Sequence, residues 1–136
     1  MHSTLPPTYS QRERITCQVA PRADMASRNV AREIAGLIRE RAESGATCVL
    51  GLATGSSPIG VYDEWVRMHR EEGLSFQNVV TFNLDEYFPM RATELQSYHR
   101  FMREYLFDHI DIDPNQVHLP DGTIPEDAVQ AYCQRY

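Results

Sequence analysis

The sequence predicts an open parallel α/β sheet, and three observations predict it. Two continuous apolar runs, "TCVLGLA" at 47–53 and "NVVTFNL" at 78–84, have the length and β-forming content of parallel strands covered on both faces. Stretches with helical apolar spacing precede, separate and follow these runs, which is the alternation of an α/β layer structure. The chain has 136 residues, enough for one domain that buries roughly two thirds of its unfolded surface.

Each element has its own signal. Residues 1–14 are polar and contain Pro6-Pro7, so they read as a flexible tail. "ITCQV" at 15–19 alternates apolar and polar residues like a half-buried strand. Asp24 is a candidate cap for a helix reaching about Ser44, with Val30, Ile34, Leu37 and Ile38 on one face and Gly45 at the stop. After the 47–53 strand, Ser57 suits the N-cap of a second helix and Pro58 its first helical position. Ile59, Tyr62, Val66 and His69 follow at helical spacing until Gly73. Beyond the 78–84 strand, residues 96–109 read as a helix with Tyr98, Met102, Tyr105, Leu106 and His109 along one side. "VHL" at 117–119 reads as a short strand, and a last helix starts near Pro125. The order implies right-handed crossovers in a three-layer, Rossmann-like α/β/α sheet. The last helix, with Ala128, Val129 and Tyr132 on its apolar face, stops at Tyr136 without a capping residue. The expectation is therefore a sheet incomplete at its C-terminal end.

Composition narrows the function. Thirteen basic and nineteen acidic residues leave a net charge of −6, and no basic patch offers a surface for nucleic acid. Arg28, Arg32, Arg39 and Arg41 alternate with Glu33, Glu40 and Glu43, as on a solvated helix face. Cys17, Cys48 and Cys133 form no CxxC pair, and Cys17 and Cys48 sit in strand-like runs that suit buried thiols. No stretch has the character of a signal peptide or a membrane span, so a cytoplasmic setting is expected. His2, His69, His99, His109 and His118 combine with no acid or thiol at metal-ligand spacing, so no metal is expected. Helix aromatics such as Trp65, Phe101 and Tyr105 read as core.

Two loops at carboxyl ends of strands, where open α/β sheets bind ligands, carry the unusual residues. In "ATGSSP", 53–58, Gly55 permits close backbone approach, and Thr54, Ser56 and Ser57 add hydroxyl donors at a helix N-terminus. That is a fitting place for a phosphate monoester, though it is equally readable as a well-capped turn. It is not a nucleotide P-loop, because the full G-x-x-x-x-G-K-[ST] pattern and its lysine are absent. The other loop opens with Asp85 and Glu86. A carboxylate at a partly dry strand end can serve as a general base; the alternative is that one acid caps a turn and the other is solvated.

Together, "LGLATGSSPIGVYDEWVRMH", "LSFQNVVTFNLDEY" and "SYHRFMREYLFDHIDI" resemble, in order and spacing, the amino-terminal half of the glucosamine-6-phosphate deaminases. The resemblance is good from about Cys48 to Tyr136, and the block "VVTFNLDEY" followed by "SYHRFM" is its specific part. It implies that residues 15–136 are the amino-terminal part of a sugar-phosphate isomerase/deaminase domain. It further implies conversion of glucosamine 6-phosphate and water into fructose 6-phosphate and ammonium, without cofactor or metal. Asp85 would be the base that moves a proton between C2 and C1, Thr54, Gly55, Ser56 and Ser57 would help hold the phosphate, Glu86 would support, and Tyr98 would border the substrate. The partner implied is a small sugar phosphate, with a homo-oligomer possible in principle and neither nucleic acid nor membrane involved. Ser56 stands where the family often has a second glycine, a change that strains any positive φ there.

The family's ring-opening segment, of the kind G-x-x-G-H-I-A/G-F-N-E-P, does not occur in these 136 residues. The reading is thus of a fragment holding the isomerisation base and part of the phosphate cradle. The long amino-terminal tail and "DHIDIDPNQVHLPDGTI" look more like the branch in which a deacetylase-like domain follows. Two other functions compete. A 6-phosphogluconolactonase shares the fold and a similar glycine loop, but its acidic motif has arginine where Tyr87 stands. A non-catalytic sugar-phosphate sensor would carry a helix-turn-helix upstream, and residues 1–46 offer a single helix. The expected result for the purified 136-residue chain is ammonium release from glucosamine 6-phosphate far below that of a full-length relative; comparable turnover in that assay contradicts the fragment reading.

Overall fold

The computed structural model describes residues 8–9 and 16–136. The elements are β1 (Thr8–Tyr9), β2 (Gln18–Val19), α1 (Ala23–Glu43), β3 (Cys48–Leu52), α2 (Ile59–Glu72), β4 (Val79–Asn83), α3 (Tyr98–Tyr105), β5 (Val117–His118) and α4 (Val129–Arg135), with short 3-10 turns before β5 and α4. β3, β4 and β5 form a parallel sheet in that order, and helices flank it. The fold is α/β with a parallel sheet, as expected.

The first predicted strand behaves differently. β2 pairs antiparallel with β1, Thr8 opposite Val19 and Tyr9 opposite Gln18, apart from the main sheet. Val19 is 67% exposed and Cys17 is exposed rather than buried, so over the described residues 16–19 the alternation faces no core. The tail expected over 1–14 lies outside the described residues except for Thr8–Tyr9, which the β1 pairing orders.

α1 begins one residue before Asp24, which sits in the first turn and pairs with Arg22 and Arg28 instead of capping. There a carboxylate still favours the positive helix end. At the other end the amides of Gly45 and Ala46 bond to the carbonyls of Ala42 and Arg41 at 3.0 and 2.8 Å, the two bonds of a Schellman stop. The buried stripe of α1 is Ala31, Ala35 and Ile38, whereas Val30 and Leu37 point outward. Two alanines in that stripe leave room for a large neighbour, and α2 supplies it: Trp65 is 2% exposed and donates its indole N–H to the Ala31 carbonyl at 3.0 Å. Tyr62 and Phe76 pack against the indole with ring centroids 5.8 and 6.0 Å away. Glu64 also lies on the buried side of α2, where Arg67 grips both its oxygens at 3.0 and 2.7 Å. Such a fork satisfies the charge in place.

The same core takes Cys48, Leu50 and Leu52 from β3, Val79 from β4, and Met102 and Leu106 from α3 and its end. α1, α2 and α3 therefore cover one face of the sheet. The other face is not covered as the apolar runs suggested: Val49 is 63% and Phe82 38% exposed. On that side His118 stacks on Phe82, and the Tyr136 ring, just past α4, meets Phe82 edge-on. Replacing Trp65 by Ala should lower unfolding free energy by about 3–5 kcal/mol, read as a shift of the urea midpoint monitored by far-UV circular dichroism.

Candidate active site

The site begins with register. Leu52 and Asn83 are partners at the carboxyl ends of β3 and β4, and neighbouring strands lie about 4.8 Å apart, so the loops that follow leave the sheet side by side. The Asn83 side chain, 1% exposed, donates to the Leu52 carbonyl at 3.1 Å. The Tyr62 hydroxyl donates to the next carbonyl, Ala53, at 2.5 Å. Burial pushes the Tyr62 phenol up to about 12, which keeps it a neutral donor. The backbone that launches the glycine loop is thus held from both sides.

Gly55 has φ +91°, a left-handed conformation that residues with a Cβ adopt at a cost. α2 starts later than predicted: Pro58, not Ser57, is the residue before the helix, and its carbonyl accepts from the amides of Val61 and Tyr62 at 2.9 and 3.1 Å. Ser57 makes no capping bond as a result. Thr54 is half-buried, Ser56 and Ser57 are exposed, and their three hydroxyls bond to nothing among the described residues.

The two acids of the second loop have opposite surroundings. Asp85 is exposed, with no hydrogen bond or ion pair among the described residues. The dry environment expected around it is therefore not supplied by this part of the chain. Glu86 is half-buried and accepts from the Ser97 hydroxyl at 2.8 Å and from the amides of Tyr87, Tyr98 and His99 at 2.9, 3.0 and 3.2 Å. It caps α3 from eleven residues upstream, where the free N–H groups and positive end of a helix lie. Burial pushes its pKa up, but those four hydrogen bonds outweigh burial and hold the carboxyl below its ordinary 4.5.

The rest of the loop is tied down as well. The Tyr87 and Tyr98 rings are 4.9 Å apart. The Met90 amide donates to the Gly122 carbonyl at 2.8 Å. A Cβ at Gly122 would lie 2.6 Å from the carbonyl oxygens of both Tyr87 and Met90, so only glycine fits there. The Tyr136 hydroxyl donates to the carbonyls of Asn83 and His118 at 2.6 and 3.1 Å. Asn83, Gly122 and Tyr136 were not among the residues picked from sequence. The cap made by Glu86 spans 11 to 13 residues, beyond any local pattern.

The family described as glucosamine-6-phosphate isomerases/6-phosphogluconolactonase matches residues 21–136. The chain belongs to this family. A glucosamine-6-phosphate deaminase-like protein of Bacteroides thetaiotaomicron is 44% identical over 124 residues, covering 91% of this chain and 19% of that protein. The glucosamine-6-phosphate deaminase of Bacillus velezensis is 49% identical over 102 residues, 75% of this chain and 42% of its own length. A solved structure of a monomeric glucosamine-6-phosphate deaminase superposes with a TM-score of 0.79 at 38% identity, covering 86% of this chain and 46% of that one. This family member thus spans less than half the length of each of these relatives. None of its helices among the described residues is long and apolar enough to cross a membrane.

Because the folded pKa of Glu86 is depressed, its contribution to stability is complete above pH 4.5 and is lost as pH falls through the lower folded value. Amide exchange at Tyr98 and His99 should therefore accelerate on acidification below pH 4.5 relative to the α2 amides. In Glu86→Gln this acid-dependent step should disappear.

Proposed function

We propose that this chain carries the proton-transfer half of a glucosamine-6-phosphate deaminase site, for the conversion of glucosamine 6-phosphate and water to fructose 6-phosphate and ammonium. The observation that carries the reading is the register Leu52 opposite Asn83, which sends the Gly55 loop and Asp85 out from adjacent strand ends. The names of the relatives at 44 and 49% identity support the substrate. Tyr87, in place of the arginine of the lactonase motif, supports the deaminase over the lactonase side of the family.

In this reading the Asp85 carboxylate removes the proton from C2 of the open-chain amino sugar. The electron pair forms the C1–C2 double bond of an enolamine as the C1 carbonyl oxygen takes a proton. Asp85 then returns its proton to C1, leaving an imine at C2. Water adds to that carbon, and ammonia departs as the C2 ketone forms. The Gly55 turn, with the hydroxyls of Thr54, Ser56 and Ser57, holds the phosphate at the other end of the substrate. Tyr98 borders the sugar. Glu86 holds the loop rather than transferring protons, since four hydrogen bonds occupy its oxygens.

The test is a chimera joining this chain to the part of the Bacillus velezensis enzyme that follows its matched stretch. It should release ammonium and fructose 6-phosphate from glucosamine 6-phosphate. Asp85→Asn should then lower kcat by about 10²–10⁴-fold with KM little changed. Activity that survives in Asp85→Asn removes the proposed role, and hydrolysis of 6-phosphogluconolactone in its place reassigns the substrate.

A further inference from the structure

We propose that Asn83 is a positioning residue whose amide ties the two site loops together, and that the fold would be at least as stable with an apolar side chain there. The first part rests on the reaction proposed above; the second does not. The covered face of β4 carries Val79, Thr81 and Asn83, each no more than 2% exposed. Polarity thus rises along the strand toward the site, although Leu50, Leu52 and Trp65 belong to the same core. Thr81 Oγ1 and Asn83 Oδ1 are buried without a hydrogen-bond partner among the described residues. This chain already encloses both atoms, so their isolation does not depend on what covers the open face of the sheet.

Asn83 is the sharper case, because half of its amide is used. Its Nδ2 donates to the Leu52 carbonyl at 3.1 Å. A carbonyl only accepts, so that bond turns the nitrogen toward β3 and leaves Oδ1 as the orphan. A buried acceptor without a partner costs at least as much as one ordinary hydrogen bond contributes, and an apolar group of the same shape is often neutral or stabilising in its place. Stability therefore does not account for an asparagine here. Position does. The pairing of β3 with β4 ends at Leu52 and Asn83, so this side-chain bond is the last tie between the strands before the loops diverge. It joins the backbone two residues before Asp85 to the backbone two residues before Thr54. A leucine at 83 would fill similar space and leave that crossing untied.

The experiment makes Asn83→Leu and, as a control, Thr81→Val, each in the 136-residue chain and in the chimera described above. In the 136-residue chain both should keep or raise the urea midpoint followed by far-UV circular dichroism. In Asn83→Leu alone, hydrogen exchange at residues 51–53 and 82–84 should quicken about tenfold or more relative to 48–50 and 79–81. A side chain that merely filled the core would not set the strand ends apart from the rest of the strands. In the chimera, Asn83→Leu should lower kcat about 10–100-fold with KM changing less, as displacement of a reacting group does. Thr81→Val should leave both constants as they were, since its hydroxyl holds neither loop. A lowered urea midpoint or a failure to fold in Asn83→Leu overturns the inference. So does exchange that changes evenly along both strands, an unchanged kcat, or an equal loss in Thr81→Val. If the chimera with Asn83 in place releases no ammonium, the proposed reaction falls, and the exchange pattern with the urea midpoint decides for or against the tie.

Discussion

The in-register pairing of β3 with β4 is the constraint on which the rest depends. Five consecutive pairs, from Cys48 with Val79 to Leu52 with Asn83, put the alternate residues of both strands on one face. A one-residue shift of β3 against β4 would turn Cys48, Leu50 and Leu52 away from the core and expose them, since strand side chains alternate. The same pairing brings the two chemically loaded loops out together. Core and site are therefore consequences of one alignment, and Asn83 reinforces it where it matters by reaching across to the Leu52 carbonyl.

Around that alignment the acidic loop is fixed by bonds of long sequence span. Glu86 gathers the start of α3, Gly122 meets the backbone at Tyr87 and Met90, and Tyr136 bridges the ends of β4 and β5. A half-buried carboxylate with several N–H donors is a strong anchor because each bond is charge-assisted. Asp85, next to it, has none of these constraints and remains available to a ligand. The loop is thus anchored on both sides of the residue proposed to react, at Asn83 and at Glu86.

Much of this was legible before any coordinates. The apolar runs at 47–53 and 78–84 became β3 and β4, and Gly45 and Gly73 ended the helices they were expected to end, because each signal acts over a few residues. The failures have physical causes. A continuous apolar run suits a strand covered on both faces, but cannot say that Val49 and Phe82 are the residues left exposed among the described ones. The alternation in 15–19 could not report that residues 16–19 are exposed. Ser57 does not cap α2, because the helix starts one residue later than its signal and the Pro58 carbonyl accepts the first amides, those of Val61 and Tyr62. Asp85 and Glu86 were recognisable as a pair, but their division into an open acid and an anchored one depends on Ser97, Tyr98 and His99, brought there by the chain's return.

That division has a consequence for how the protein would look to genetics. In the joined enzyme of the proposed reading, a library of substitutions scored by growth on an amino sugar would report codons 85 and 86 as equally intolerant, and nothing in the scores would tell them apart. Scored for abundance instead, the same library would split them: codon 86 would stay intolerant, because its product holds a helix end, and codon 85 would tolerate nearly anything. One side chain's four hydrogen bonds are what make the two maps disagree.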